Sequence, residues 1–293
     1  MATKLTDRVS ELEFARCDPY HALPRIFRIF GRGERGGQWD EVYTVKDGLI
    51  TVKFEGPQEL GINDENVFLG IVALGGSGAK FGMKISNMPK QPDNIQIRKL
   101  LDPMGESVEI MCKVATSQRG LMQASGYAAT GAKMWRLIED SLHRLYKTTV
   151  WVRENETGWA YPMPLIAYAI NDRTGKLLLG LNQRLSQAIF GGRWVTMSLK
   201  ERHKIEGDTG KALHRWISAW IKPGSTQRIG MDSLMSHIFG DAEVSRATSY
   251  KRKRMVEDGL SQISQLAGWA IRYEDKRGIY AISRPELVKY DPS

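Results

Sequence analysis

Apolar and polar positions follow two periods along this chain, and the order in which they alternate is itself repeated. Near the C-terminus, Val256, Leu260, Ile263 and Ala267 recur at helical spacing, which predicts a helix from about Ser245 to Leu266. Gly268 ends it, as glycines commonly do at helix C-termini. Trp269–Tyr273 and Ile279–Ser283 then flank Glu274-Asp-Lys-Arg-Gly278 and read as a β-hairpin. Upstream, Pro223-Gly224 stops a helix, Gln227–Gly230 is a short strand, and Asp232 is placed to cap a helix reaching about Phe239. Gly240-Asp241 breaks that helix. Helix, turn, helix and hairpin in this order describe a winged helix-turn-helix.

The same order occurs earlier in the chain. Arg136-Leu-Ile-Glu-Asp-Ser-Leu142 matches Arg254-Met-Val-Glu-Asp-Gly-Leu260 at a shift of 118 residues. That shift also sets Lys133 on Lys251, Leu145 on Ile263 and Trp151 on Trp269 without a gap. A strand over 108–114, a helix capped by Thr116 and reaching about Ser125, and a turn at Gly126 precede a second helix over 130–146. A hairpin follows, pairing 148–153 with 158–163. The fold class expected is therefore α+β, two tandem winged helix-turn-helix domains related by an internal repeat and divided as 1–165 and 166–293.

Supporting elements surround the two copies. Helices are predicted over 63–74, 198–206 and 209–221, and a hairpin pairs 41–45 with 49–54. A strand over 176–181 and a helix over 184–190 bridge the halves, while 89–103 shows mixed periodicity.

Length and composition narrow the class. A chain of 293 residues, 42% hydrophobic and 26% charged, has room for two globular domains. Its most apolar run, 67–74, is far shorter than the roughly 20 residues of a membrane-spanning helix. The first residues lack the apolar segment of a signal peptide. Cys17 and Cys112 have no metal-ligand spacing, so a reducing cytoplasm is expected and no disulfide framework.

Charge points to a polyanion. The net charge is +9, of which residues 1–150 carry +2 (20 basic, 18 acidic) and residues 151–293 carry +7 (22 basic, 15 acidic). Arg246 to Arg254, RATSYKRKR, holds five basic residues in nine and no acid. Such a run is ordinarily a solvated face or a tail. Here the apolar period continues straight out of it, which argues against a tail. With Val256, Leu260 and Ile263 buried and about 100° per residue, Ala247, Tyr250, Lys251 and Arg254 face outward, flanked by Arg246 and Thr248. In the first copy Ala132, Lys133 and Arg136 face outward beside Thr130. Burial alone would not make exposed charges repeat. Lys276 and Arg277 at the hairpin tip are placed for phosphates or the minor groove. The expected DNA-binding set is thus Thr130, Lys133, Arg136, Arg246, Thr248, Tyr250, Lys251, Arg254, Lys276 and Arg277.

No enzymatic constellation competes. Gly75-Gly-Ser-Gly-Ala-Lys80 lacks the spacing and the following Ser/Thr of a phosphate loop, and reads as an interhelical loop. His21, His143, His203, His214 and His237 form no His-x-His pair, and His203 and His214 read as surface or satisfied core residues. Glu139-Asp140 and its repeat Glu257-Asp258 suit salt bridges. No catalytic residue, cofactor or metal is expected.

Several irregular segments resemble a known family. Asp18-Pro-x-His21, Arg32-Gly-Glu-Arg35, Phe54-x-Gly-Pro-x-x-Leu-Gly61, Trp220-Ile-x-Pro-Gly224, Leu266-Ala-Gly-Trp269 and Tyr280-x-Ile-x-Arg-Pro285 are similar to plasmid replication initiators of the RepC type, from IncQ-like plasmids. The similarity is looser between about 81 and 123. The resemblance implies a non-enzymatic cytoplasmic initiator that binds direct repeats (iterons) in origin DNA. It also implies opening of the adjacent AT-rich duplex with a separate helicase and primase, and a homodimer off DNA formed through the first domain. No leucine-zipper-like heptad accompanies that last implication. Two other classes share these features: a transcriptional repressor acting as a dimer on an inverted repeat, and a scaffold for a helicase.

Overall fold

The computed structural model describes residues 12–31, 34–44, 48–76, 82–86, 89–101, 111–128, 131–155, 158, 160–191, 194–275 and 277–287. They form two compact units, Met1–Leu199 and Lys200–Ser293.

The first unit opens with β1 (Phe14–Cys17), the single-turn helix α1 (Pro19–Ala22) and β2 (Phe27–Arg28). Asp18 caps α1 by accepting from the Tyr20 amide at 2.7 Å, and Pro19 stands where no amide is needed. A hairpin of β3 (Trp39–Thr44) and β4 (Ile50–Gly56) follows, as the alternation predicts. β5 (Leu60–Gly61) runs parallel to β2 and leads into α2 (Ile62–Gly76). Thirteen of the fifteen residues of α2 are buried, so it is the core helix of this unit.

Asp64, fully buried, closes the helix start by accepting from the Gly61 amide at 2.7 Å. Its carboxylate also accepts from Arg35 Nη1 at 2.7 Å and from Arg144 Nε and Nη2 at 3.0 and 2.7 Å. Gly75 and Gly76 end the helix, and the remaining glycine-rich segment, 77–80, lies outside the described residues.

Beyond it come β6 (Gly82–Ile85), α3 (Pro92–Leu101), β7 (Met111–Ser117), α4 (Gln118–Ala124) and α5 (Ala132–Lys147). The unplaced segment 89–103 is thus largely helical. Its Ile97 and Leu101 pack over Gly180, where a Cβ would lie 2.5 Å from Ile97 Cγ2. α4 is capped by Ser117 rather than Thr116, the hydroxyl accepting from the Gly120 amide at 3.0 Å. The unit continues through β8 (Thr149–Glu154), β9 (Ala160–Pro164), β10 (Ile166–Asn171), β11 (Lys176–Leu181), α6 (Gln183–Phe190) and β12 (Val195–Ser198). Two four-stranded antiparallel sheets result, in the orders β3-β4-β8-β9 and β10-β11-β7-β6, while β1 pairs with β12. Pro162 and Pro164 lie on the edge strand β9, where missing amides break no ladder.

The boundary expected at 165/166 therefore falls at 199/200 instead. The reason is strand pairing: β11 joins β7 residue for residue from Lys176↔Ser117 to Leu181↔Cys112, which binds 166–181 into the first unit. Periodicity shows that a segment is a strand; it does not show which strand it pairs with.

The second unit contains α7 (Leu199–Lys204), α8 (Asp208–Trp220), β13 (Thr226–Gly230), α9 (Met231–Phe239), α10 (Arg246–Ser264), β14 (Ala270–Glu274) and β15 (Ile279–Ser283). The three strands form one antiparallel sheet in the order β13-β15-β14. Asp232 is not the cap of α9; the cap is Gly230, and Asp232 lies in the first turn, where its charge suits the helix dipole. Ala267 is exposed because α10 ends at Ser264, and Leu266 and Trp269 enter the core in its place. Gly268 has φ +78°, and a Cβ there would meet Pro285 at 2.8 Å.

A buried polar cluster ties the helices of this unit. His214, fully buried, lies 2.9 Å from Glu201 Oε2, which also accepts from Trp269 Nε1 at 3.1 Å. Arg284 donates to the carbonyls of Ser218 and Ile221, pinning the strand end to the last turn of α8.

Two predictions follow from buried charge. Asp64→Ala strands two guanidinium groups, so it should destabilise the first unit by about 3–5 kcal/mol in denaturant unfolding. Burial lowers His21 to about 3, with the Arg184 charge adding to the effect, and burial likewise lowers His214. Below about pH 6.5 the unfolded chain takes up protons that the folded chain refuses, so stability falls as pH falls. For His21 the loss is roughly 1.4 kcal/mol per pH unit. Thermal scans from pH 7 to 5 should show it, and His21→Phe should flatten it.

Candidate nucleic-acid interface

The two helices marked by the internal repeat, α5 and α10, occupy equivalent places in the order of elements. Each follows a strand and a short helix, and each precedes a hairpin. Their burial agrees position by position. In α5 the buried residues are Ile138, Ser141, Leu142 and Leu145; in α10 they are Val256, Gly259, Leu260 and Ile263, every one at the shift of 118. The repeat is therefore one of three-dimensional environment as well as of sequence.

The strand pairing around the helices differs. In the second unit β13, which precedes the helix pair, joins the hairpin strand β15. In the first unit the corresponding strand β7 joins β6 and β11, and the hairpin β8–β9 extends β4 instead. At the turn of that hairpin Asn155 donates its amide to the Leu49 carbonyl at 2.9 Å, tying it to the β3–β4 hairpin.

α10 is set by a close helix contact. Gly259 faces Gly210 of α8; a Cβ at 259 would lie 3.1 Å from Gly210 Cα and 2.7 Å from Leu213 Cδ1. Its first turn is capped by Ser245, whose hydroxyl accepts from the Thr248 amide at 3.2 Å. Neither α5 nor α10 carries an acid in its first turn, which leaves both N-terminal ends electropositive.

The outward side chains expected on α10 are all exposed: Arg246, Thr248, Tyr250, Lys251 and Arg254, with Tyr250 at 67% exposure. The Thr248 hydroxyl is shared with Ser245 at 3.0 Å, so part of its role is local. On α5, Lys133 and Arg136 are exposed, and with Ala132, Leu137, Asp140 and Arg144 they line a surface groove along the helix. Among the described residues, no carboxylate lies within ion-pair distance of Lys133, Arg136, Arg246, Lys251 or Arg254. Thr130 and Lys276 lie outside the described residues. Arg277 is exposed at the turn of β14–β15, 3.8 Å from Glu274.

The expected set leaves out four basic residues nearby. Arg252 is half-buried, its guanidinium carbon 5.0 Å from the Phe239 ring centre, and Lys253 reaches Glu257 at 4.0 Å. Arg228 and Arg272 flank Ala281 in the ladder β13-β15-β14 and are both exposed. Alternation along β13 and β14 carries that signal; a search for clusters does not. The salt bridges expected of the repeated acidic pairs form only at Glu257, while Glu139, Asp140 and Asp258 have no such partner among the described residues.

Among the described residues no group of three or more His, Cys, Asp or Glu could hold a metal ion, and no helix is long and apolar enough to cross a membrane.

The pattern of the replication protein C (RepC) family matches residues 9–286. The chain belongs to this family of replication proteins. Solved structures of domains 2 and 3 of RctB share the fold. One, a selenomethionine derivative, aligns with a TM-score of 0.54 and 11% identity over 92% of this chain and 99% of that one. A second aligns at 0.51 and 9% identity over 88% and 95%. No curated protein sequence matches the chain. The family match extends through both units and so includes both helices of the internal repeat in this RepC-family protein.

The glycine contact gives a prediction about the RepC-family helix α10. Gly259→Ala gains up to about 1 kcal/mol of helix propensity. Overpacking costs typically about 1–3 kcal/mol. Leu213 is able to turn away but the Gly210 backbone is not, so the clash wins. A net loss of about 1–2 kcal/mol should appear in chemical denaturation.

Proposed function

We propose that this RepC-family protein is a plasmid replication initiator that reads direct repeats, the iterons, in origin DNA. α5 and α10 are its recognition helices, and each unit acts as a winged helix-turn-helix reader. The observation that carries this reading is the coincidence of free charge across the repeat. Lys133 and Lys251, and Arg136 and Arg254, are exposed at matching positions above matching buried stripes. An α-helix fits the major groove, where Arg and Lys hydrogen-bond guanine O6 and N7. Arg277, Arg228 and Arg272 supply phosphate contacts from the second hairpin and its sheet, which position the reader without selecting sequence.

Two unlike readers in one chain suit a non-palindromic repeat better than an inverted one. If each reads one turn on the same face, the repeat unit is roughly 20 bp. The protein works without catalysis or cofactor in the cytoplasm, opening the AT-rich duplex with a separate helicase and primase, and it forms a homodimer off DNA.

The test is a titration against one direct-repeat duplex from the source plasmid's origin and a scrambled duplex, at several salt concentrations. The expected preference is roughly 10³-fold or more. Lys251→Ala with Arg254→Ala should weaken binding and, where both reach phosphates, shift the slope of log K against log salt by about 1.8. Equal binding to both duplexes would remove the iteron reading. Preference for an inverted repeat by a dimer would replace it with a repressor, and unchanged affinity in the double variant would favour a helicase scaffold.

A further inference from the structure

The five basic residues of Arg246 to Arg254 are not one surface. With about 100° per residue, Arg252 lies in line with Val256 and Ile263, one turn ahead of the buried stripe, while Lys251 and Arg254 point the opposite way. Burial agrees: Arg246, Lys251, Lys253 and Arg254 are exposed, and Arg252 is half-buried. Its guanidinium covers the ring of Phe239, the last residue of α9, at 5.0 Å. Among the described residues no carboxylate lies within ion-pair distance of it. At the equivalent position of the first copy the chain has Met134, also half-buried, so the site takes a long stem and needs no charge.

We infer that Arg252 is a positioning residue that locks α9 to α10 across the Gly240 turn, and that its charge is not spent on DNA. α9 needs such a lock. Only Leu234 and Ile238 of its nine residues are buried, and the chain leaves it through Gly240 at φ +82°. Besides Leu234, Ile238 and the stacking of His237 on Trp216 at 4.1 Å, the Arg252 side chain over Phe239 adds an anchor at the end of α9 nearest the recognition helix, and so sets how α10 is held against its neighbour. The inference rests on the DNA-reading role of α10 for its functional consequence, but not for the contact itself.

The test compares Arg252→Met, Arg252→Ala and Lys251→Met in the full chain. DNA binding is measured on the direct-repeat and scrambled duplexes across a salt series, and amide hydrogen exchange is measured in 231–239 without DNA. Lys251→Met should shift the salt slope by about 0.9, the value for one phosphate contact. Arg252→Met should keep the wild-type slope, with affinity within about twofold and exchange unchanged. Arg252→Ala should keep the slope but lose about tenfold of the preference for the direct repeat, with exchange in α9 at least tenfold faster. A slope change of about 0.9 in Arg252→Met would show the guanidinium on a phosphate and overturn the inference. Wild-type exchange in α9 of Arg252→Ala would overturn it as well. If the wild-type protein fails to distinguish the duplexes, the DNA-reading role fails, while the exchange comparison still decides the contact.

Discussion

The first unit depends on one buried carboxylate. Asp64 caps the core helix α2 through the Gly61 amide, and it receives Arg35 from the preceding loop and Arg144 from α5. Burying an ion costs several kcal/mol, and the cost is offset only when nearly every lone pair is satisfied. Four donor contacts do that here. The helix carrying Lys133 and Arg136 is thereby fixed to the core at its far end, through Arg144, while both of those side chains stay exposed near its N-terminal end. The second unit uses a related device, with Glu201 receiving Trp269 and paired with His214. Burial pushes the Glu201 carboxyl up, but the hydrogen bonds from His214 and Trp269 and the nearby charges outweigh it, so its pKa is lowered.

Much of the second unit was legible in the sequence because its interactions are local. Ser245 caps α10, Gly268 and Gly278 supply positive φ, and Ile279–Ser283 is a strand as read. The first unit was harder for a physical reason. β7 could pair with its own hairpin or with β11, and the choice turns on long-range register that no window of periodicity contains. The same limit hid β10, whose partner is β11, and shifted the unit boundary. In the candidate site, residues on the outward face of α10 could be found by angle alone. The orientation of Arg252 needed Phe239, thirteen positions earlier, to be in place.

The segments that carry the family resemblance turn out to hold the frame together. Asp18 caps α1 and pairs with Arg184 at 2.9 Å, Arg35 reaches Asp64, and the Gly224 amide donates to the Arg284 carbonyl at 3.1 Å. Tyr280-x-Ile-x-Arg-Pro285 and Trp220-Ile-x-Pro-Gly224 therefore meet in space at the end of α8. None of these residues lies on the outward faces of α5 or α10. Membership in the family is written in the scaffold, apart from the outward faces of α5 and α10.

The contact between Gly259 and Gly210 extends that separation. Two glycines have no rotamers, so at this point the crossing of α8 and α10 is set backbone to backbone, with Leu213 beside it and no side chain of the outer face in the contact. Residues such as Tyr250, Lys251 and Arg254 are free to vary without tilting the helix that displays them. Under the proposed DNA-reading role, a lineage could move to a new origin sequence by single surface substitutions, each tested by selection on binding alone and none carrying a debt in folding.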